Sequence, residues 1–228
     1  MKMIKDGEEF LEEYVINVAK SCVAAAIKAP KITGRMKLVT KIITGEEIKE
    51  IQKFLEKVGK GKSRFVEMNA EMFKDPSIKA VVVLGTNAGT SELAWNCGAC
   101  GFKTCAELNK AEKKPGPSGV YVGPNCIWKL VDFEIACDWA AAAAGYSNVD
   151  NRVMTSVGFA CMALGYIKDV TMAIGIPLAA HENVFWTNPK AEWTYEYFLE
   201  TMKRMNPGVF FKFVGTGRPV MKEKVDEL

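Results

Sequence analysis

Three cysteines fall within nine residues, as Cys97-x2-Cys100-x4-Cys105, and a fourth, Cys126, returns after twenty more. No other feature limits this chain as strongly. An iron–sulfur cubane needs four soft, anionic ligands converging from several directions, and three can come from one tight loop if glycine lets the backbone fold round the cluster. Gly98 and Gly101 sit inside this loop, so backbone N–H groups can approach the sulfurs and help set a reduction potential. Cys126 follows a Gly-Pro-Asn turn at 123–125, which directs the return of the fourth ligand. Structural zinc is the chemical rival, but zinc sites usually draw their ligands as two close pairs. The three-plus-one arrangement here points instead to a cluster. Cys137 is an alternative fourth ligand, although its place in an apolar helix reads as core packing, and Cys22 and Cys161 read the same way.

The remaining composition narrows the setting. Seven cysteines is an odd number, and the opening MKMIKDGEEF has no apolar stretch before its acids, so no export signal is expected and the thiols are assigned to a reducing cytoplasm. With 30 basic and 27 acidic residues the charge is too near balance to predict binding to nucleic acid or an anionic membrane. The longest apolar run, 139–145, is far short of the ~20 residues that span a bilayer. At 228 residues the chain buries enough surface to fold without a metal or a disulfide. Any metal is therefore expected to serve chemistry or a local staple.

Periodicity gives the elements. Residues 8–29 read as a helix with Leu11, Val15, Ala19, Cys22, Ala26 and Ala29 on one stripe, ended by Pro30. A strand is expected over 37–44, then a helix over 46–58 opened by a capping box of Thr44 and Glu47 and stopped by Gly-Lys-Gly at 59–61. Residues 79–86 form a continuous apolar run suited to a strand buried on both faces. After the cysteine segment and a polar turn at 113–119, residues 131–145 read as a central helix, apolar nearly all round. A second helix over 153–164, a buried strand over 170–178, a helix over 191–205 and a short strand near 209–214 complete the chain. Interleaved helices and strands predict an α/β or α+β fold. The expected division is a single domain over 1–228, with an iron–sulfur loop over 87–130 and a C-terminal arm over 206–228.

The run Asn96-Cys97-Gly98-Ala99-Cys100-Gly101-Phe102-Lys103-Thr104-Cys105 resembles that of a prokaryotic family of proteins with a ferredoxin-like domain of unknown function. The likeness continues through Gly-Pro-Asn-Cys126, residues 149–154, the AIGIPL run at 173–178 and Ala29-Pro30-Lys31. The resemblance implies a 4Fe–4S cluster on Cys97, Cys100, Cys105 and Cys126. A more distant resemblance, carried by residues 24–40, 131–145 and 164–178, is to the flavin-dependent nitroreductases. It implies an α+β, nitroreductase-like α/β sandwich, a homodimer and FMN at the subunit interface. Nitroreductases grip the flavin phosphate with an Arg-Arg-Ser-x-Arg segment, whereas residues 6–20 contain no arginine here. The candidate phosphate donors are then Lys31, Arg35 and Arg218, with Lys28 nearby, and FMN is expected to be held weakly. The arm, with Val209, Phe210, Phe211 and Phe213, is expected to pack on a second subunit.

Weaker candidates are His181 at a strand end, Arg152 before the helix starting near Val153, and the acids Glu134 and Asp138 one turn apart. Trp95, Trp128 and Trp139 are expected to keep water from the cluster. The expected function is a cytoplasmic iron–sulfur redox protein, leaning to an oxidoreductase, that passes electrons through a 4Fe–4S cluster to FMN or a small substrate. The alternative is a non-redox interaction module in which a cluster or zinc acts as a staple.

Overall fold

The computed structural model describes residues 6–32, 34 and 36–181. The chain divides into two units, Met1–Thr187 and Asn188–Leu228, and all described residues belong to the first. The expectations for 191–205, 209–214 and the arm over 206–228 lie outside the described residues, as do Arg35 and Arg218.

A 3-10 turn, Gly7–Phe10, leads into α1, Leu11–Lys28. There follow β1 (Leu38–Ile43), α2 (Glu46–Gly59), α3 (Arg64–Met72) and β2 (Ile78–Thr86). The cysteine segment then carries α4 (Cys105–Lys110) and a small hairpin of β3 (Lys114–Pro115) and β4 (Val122–Gly123). Last come α5 (Ile127–Tyr146), β5 (Asp150–Asn151), α6 (Thr155–Ala163) and β6 (Met172–Ala179). Strands β1, β2, β6 and β5 lie in that order in one antiparallel sheet.

The sheet is the middle of three layers, and strand alternation explains why. Ala80, Val82 and Leu84 of β2, with Ile174, Ile176 and Leu178 of β6, face α1 and α5. Val81 and Val83, with Ala173 and Ala179, face α2, α3 and α6. Both sets are buried, as the unbroken apolar runs predict for central strands. The α+β class is therefore as expected. Each fully buried Leu or Ile is worth roughly 1.5–3 kcal/mol, so the two apolar layers are the main stabilising mass of this unit.

Three local expectations need correction. Gly45, at φ 68°, is the N-cap of α2 and makes no side-chain cap bond, so the Thr44–Glu47 capping box does not form. Helix α5 starts at Ile127, one residue after Cys126, rather than near 131. It is also not buried all round: Phe133, Ala136, Cys137, Ala140 and Ala144 are buried in the layer shared with α1 and the sheet, while Val131, Trp139 and Tyr146 are exposed. Its apolar composition exceeds what the layer it covers requires.

Candidate metal centre

The cysteine segment leaves the sheet at Thr86 and returns at α5, and its two ends meet. The N–H of Cys126 donates to the carbonyl of Ala88 at 2.7 Å. Thr171, just ahead of β6, ties both ends down: its hydroxyl accepts from the N–H of Ala88 at 3.0 Å, and its carbonyl accepts from the N–H of Val122 at 3.2 Å. The Gly123–Pro124 bond before the last cysteine is cis.

Within this closure the backbone turns repeatedly into the left-handed region, with φ 54° at Ala94, 49° at Asn96, 74° at Gly98 and 87° at Gly101. Such turns set successive N–H groups side by side and make concavities for anions. Here the concavity receives a sulfur. The N–H of Asn96, aided by those of Trp95 and Ala94 and by the Ser91 hydroxyl, holds the Cys105 thiol below its ordinary pKa against partial desolvation. The Asn96 side chain closes the loop from the other side, its Oδ1 accepting from the N–H of Cys105 at 2.9 Å. Thr104 caps α4 by accepting from the N–H of Glu107 at 3.1 Å. Asn109 clamps Ser91 twice, accepting from its N–H at 2.7 Å and donating to its carbonyl at 2.9 Å.

Cys97, Cys100, Cys105 and Cys126 all line one pocket, of about 310 Å³ counting the part open to solvent. Cys97 is exposed, Cys100 and Cys105 half-buried, and Cys126 buried at the N-terminus of α5. As placed, no group of three or more histidine, cysteine or acidic side chains among the described residues stands ready to hold a single ion. Trp95 and Trp128 also line the pocket, edge to face with centroids 5.9 Å apart. Trp139 is not among its lining residues and is exposed. Cys137 is absent from the lining too, and burial first, with Glu134 and Asp138 adding, drives its thiol far up. Burial likewise pushes Cys22 to about 11 and Cys161 to about 12, so these three are neutral core residues.

The remaining candidates are dispersed. The Lys31 ammonium donates to the carbonyls of Ala26, Ile27 and Ala29 at 3.3, 2.9 and 2.8 Å, closing the C-terminus of α1. Arg152 donates to the sulfur of Met72 at 3.9 Å, and desolvation lowers its pKa. His181 is exposed just beyond β6. Sequence reasoning missed two buried charges beside the site. Lys129, 8% exposed, bridges both carboxylate oxygens of Glu92 at 2.9 and 3.2 Å and so pins the start of the cysteine loop to α5. Burial opposes the charge on Glu92, and the bond and charge of Lys129 outweigh it, so its carboxyl sits below the ordinary range. It missed Asp132 as well, whose two oxygens accept from the N–H of Ile32 at 3.1 Å each and hold the turn after α1. A lysine and an aspartate in the first turns of an apolar helix were the only available signal.

These features define a layered α+β protein whose four clustered cysteines line a single pocket, on a segment closed at one end of the two central strands. The chain belongs to the family described as uncharacterized proteins containing a ferredoxin domain (DUF2148), whose model matches residues 122–186. An uncharacterized protein of Archaeoglobus fulgidus is 31% identical over 178 residues, covering 78% of this chain and 93% of the relative. Among solved structures, a nitroreductase with bound FMN from Desulfitobacterium hafniense is similar at 14% identity, with a TM-score of 0.45, over 79% of this chain and 80% of that one.

Proposed function

We propose that this is a cytoplasmic redox protein of nitroreductase-like architecture that holds one 4Fe–4S cluster on Cys97, Cys100, Cys105 and Cys126. The observation that carries the reading is that these four thiols line one pocket while the other three cysteines are buried in the core. The donor set fits: four soft sulfurs, three of them on a loop whose N–H groups already converge on one of the thiols. When bound, such a group accepts and releases one electron. The protein's own residues do the rest. Asn96 and the N–H groups of 94–96 favour the thiolate at Cys105, Lys129 and Glu92 hold the loop on α5, and the half-buried Trp128 covers one wall beside the exposed Trp95.

Of the three expected phosphate donors Lys31 is engaged by the end of α1, and Arg35 and Arg218 lie outside the described residues. The reading therefore rests on the cysteines, with FMN held weakly and lost on purification. Titrating FMN into the protein and following flavin fluorescence checks this; tight, stoichiometric binding would overturn it.

The main experiment is iron and sulfide content after anaerobic preparation. The expected protein is brown, with broad absorbance near about 400 nm that dithionite bleaches. Changing any of the four cysteines to Ala should lower the iron, whereas Cys22→Ala and Cys161→Ala should keep it. A colourless protein loaded with zinc would favour the structural staple instead.

A further inference from the structure

Among the described residues two buried side-chain polar atoms have no hydrogen-bond partner, Asn125 Oδ1 and Trp128 Nε1. The amide of Asn125 is partly used, its Nδ2 donating to the carbonyl of Val122 at 2.7 Å. Trp128 has only one polar atom. An indole N–H is a donor and nothing else, and leaving a buried donor unmade is disfavoured, so it calls for an acceptor.

Trp128 stands in the first turn of α5, two residues beyond Cys126, and lines the same pocket as all four cysteines. The rings of Trp95 and Trp128 lie edge to face with centroids 5.9 Å apart. The side-chain oxygens that line the pocket are already engaged. Asn96 Oδ1 takes the N–H of Cys105, Thr104 Oγ1 takes that of Glu107, and Ser91 Oγ takes that of Leu93 at 3.4 Å. Among the side chains of the lining, the acceptors that remain are the cysteine sulfurs.

We infer that Trp128 Nε1–H donates a hydrogen bond to a sulfur of the iron–sulfur group, an inorganic sulfide or a ligand thiolate, and so raises its reduction potential. The inference rests on the cluster reading above. Reduction adds negative charge to the sulfurs, a donor aimed at them strengthens as that charge grows, and the reduced state gains more than the oxidised one. Trp128 is thus a tuning residue, distinct from the four that would hold the iron.

The test uses holoprotein prepared without oxygen, with tryptophan labelled by ¹⁵N in the indole ring. Pulsed electron paramagnetic resonance on the reduced protein should show a coupling to an indole ¹⁵N and to an exchangeable proton. That coupling should survive Trp95→Phe and vanish in Trp128→Phe. The midpoint potential of Trp128→Phe should be lower than that of the unsubstituted protein while iron and sulfide per chain stay the same. Iron-loaded protein with no ¹⁵N coupling would overturn the inference and leave the cluster reading standing, as would an unchanged potential in Trp128→Phe. A water bridging Nε1 to Asn125 would then be the alternative. If Trp128→Phe fails to retain iron, the ¹⁵N coupling in the unsubstituted protein decides alone. Unsubstituted protein without iron would bring down both readings.

Discussion

Glu134 and Asp138 lie one turn apart on the exposed side of α5. Partial desolvation first, and the neighbouring Asp138 second, raise the Glu134 carboxyl above its ordinary value. A raised acid binds its proton more tightly in the folded chain, so its favourable contribution is present at low pH and is lost as pH rises through the folded value. Glu134→Gln should therefore melt at a higher temperature than the unsubstituted protein at pH 7. The gap should close below about pH 4, where the unfolded carboxyl is also protonated. Melting curves at several pH values check this, and a variant less stable at pH 7 would contradict it. The sequence showed this pair but not its exposure. It showed the core cysteines well, because Cys22 and Cys161 fall on apolar stripes whose period is set by helix geometry. The N–H concavity at Cys105 was not legible. It depends on Ala94 and Asn96 adopting positive φ, which an alanine rarely does and no composition rule announces.

Helix α6 and strand β6 lock through two glycines. A Cβ on Gly158 would overlap the carbonyl of Ala173, and one on Gly175 would overlap the side chain of Val157. The first collision is with backbone on the neighbouring strand, which cannot swing aside as a side chain can. Gly158→Ala should thus destabilise at or beyond the upper end of the roughly 1–3 kcal/mol typical of overpacking, despite the better helix propensity of alanine. Chemical denaturation measures it directly, and a neutral or stabilising result would mean that the helix can shift off the sheet. The AIGIPL run foretold the strand but not this contact. Elements with strong patterns, α1, β2 and β6, were legible to within a few residues. Helix α3 was not: it has only nine residues, with Ser63 accepting from the N–H of Val66 at 3.4 Å to start it. The start of α5 was hidden because Cys126 supplies no side-chain cap.

Across the whole molecule, no helix among the described residues is long and apolar enough to cross a membrane. Yet α5 leaves Val131, Trp139 and Tyr146 exposed, and α1 leaves Ile27. Covering such residues with a second copy of the chain is the expected remedy. Light scattering at micromolar concentration should give the mass of a homodimer, and a monomer would rule this out. Neither apolar core cluster draws a residue from the stretch between Thr86 and Ile127. If iron is held as proposed, removing it with a chelator should accordingly leave far-ultraviolet circular dichroism almost unchanged while quickening tryptic cleavage at Lys103, Lys110 and Lys113. Collapse of the helical signal would mean that the cysteine segment helps hold the layers. The closing bond between Ala88 and Cys126 extends the point. Because that segment departs from and rejoins the sheet at one place, the scaffold need not wait for metal as it leaves the ribosome. On the proposed reading, iron would then be fitted to a frame that is already complete, as a late addition to the fold rather than a condition of it.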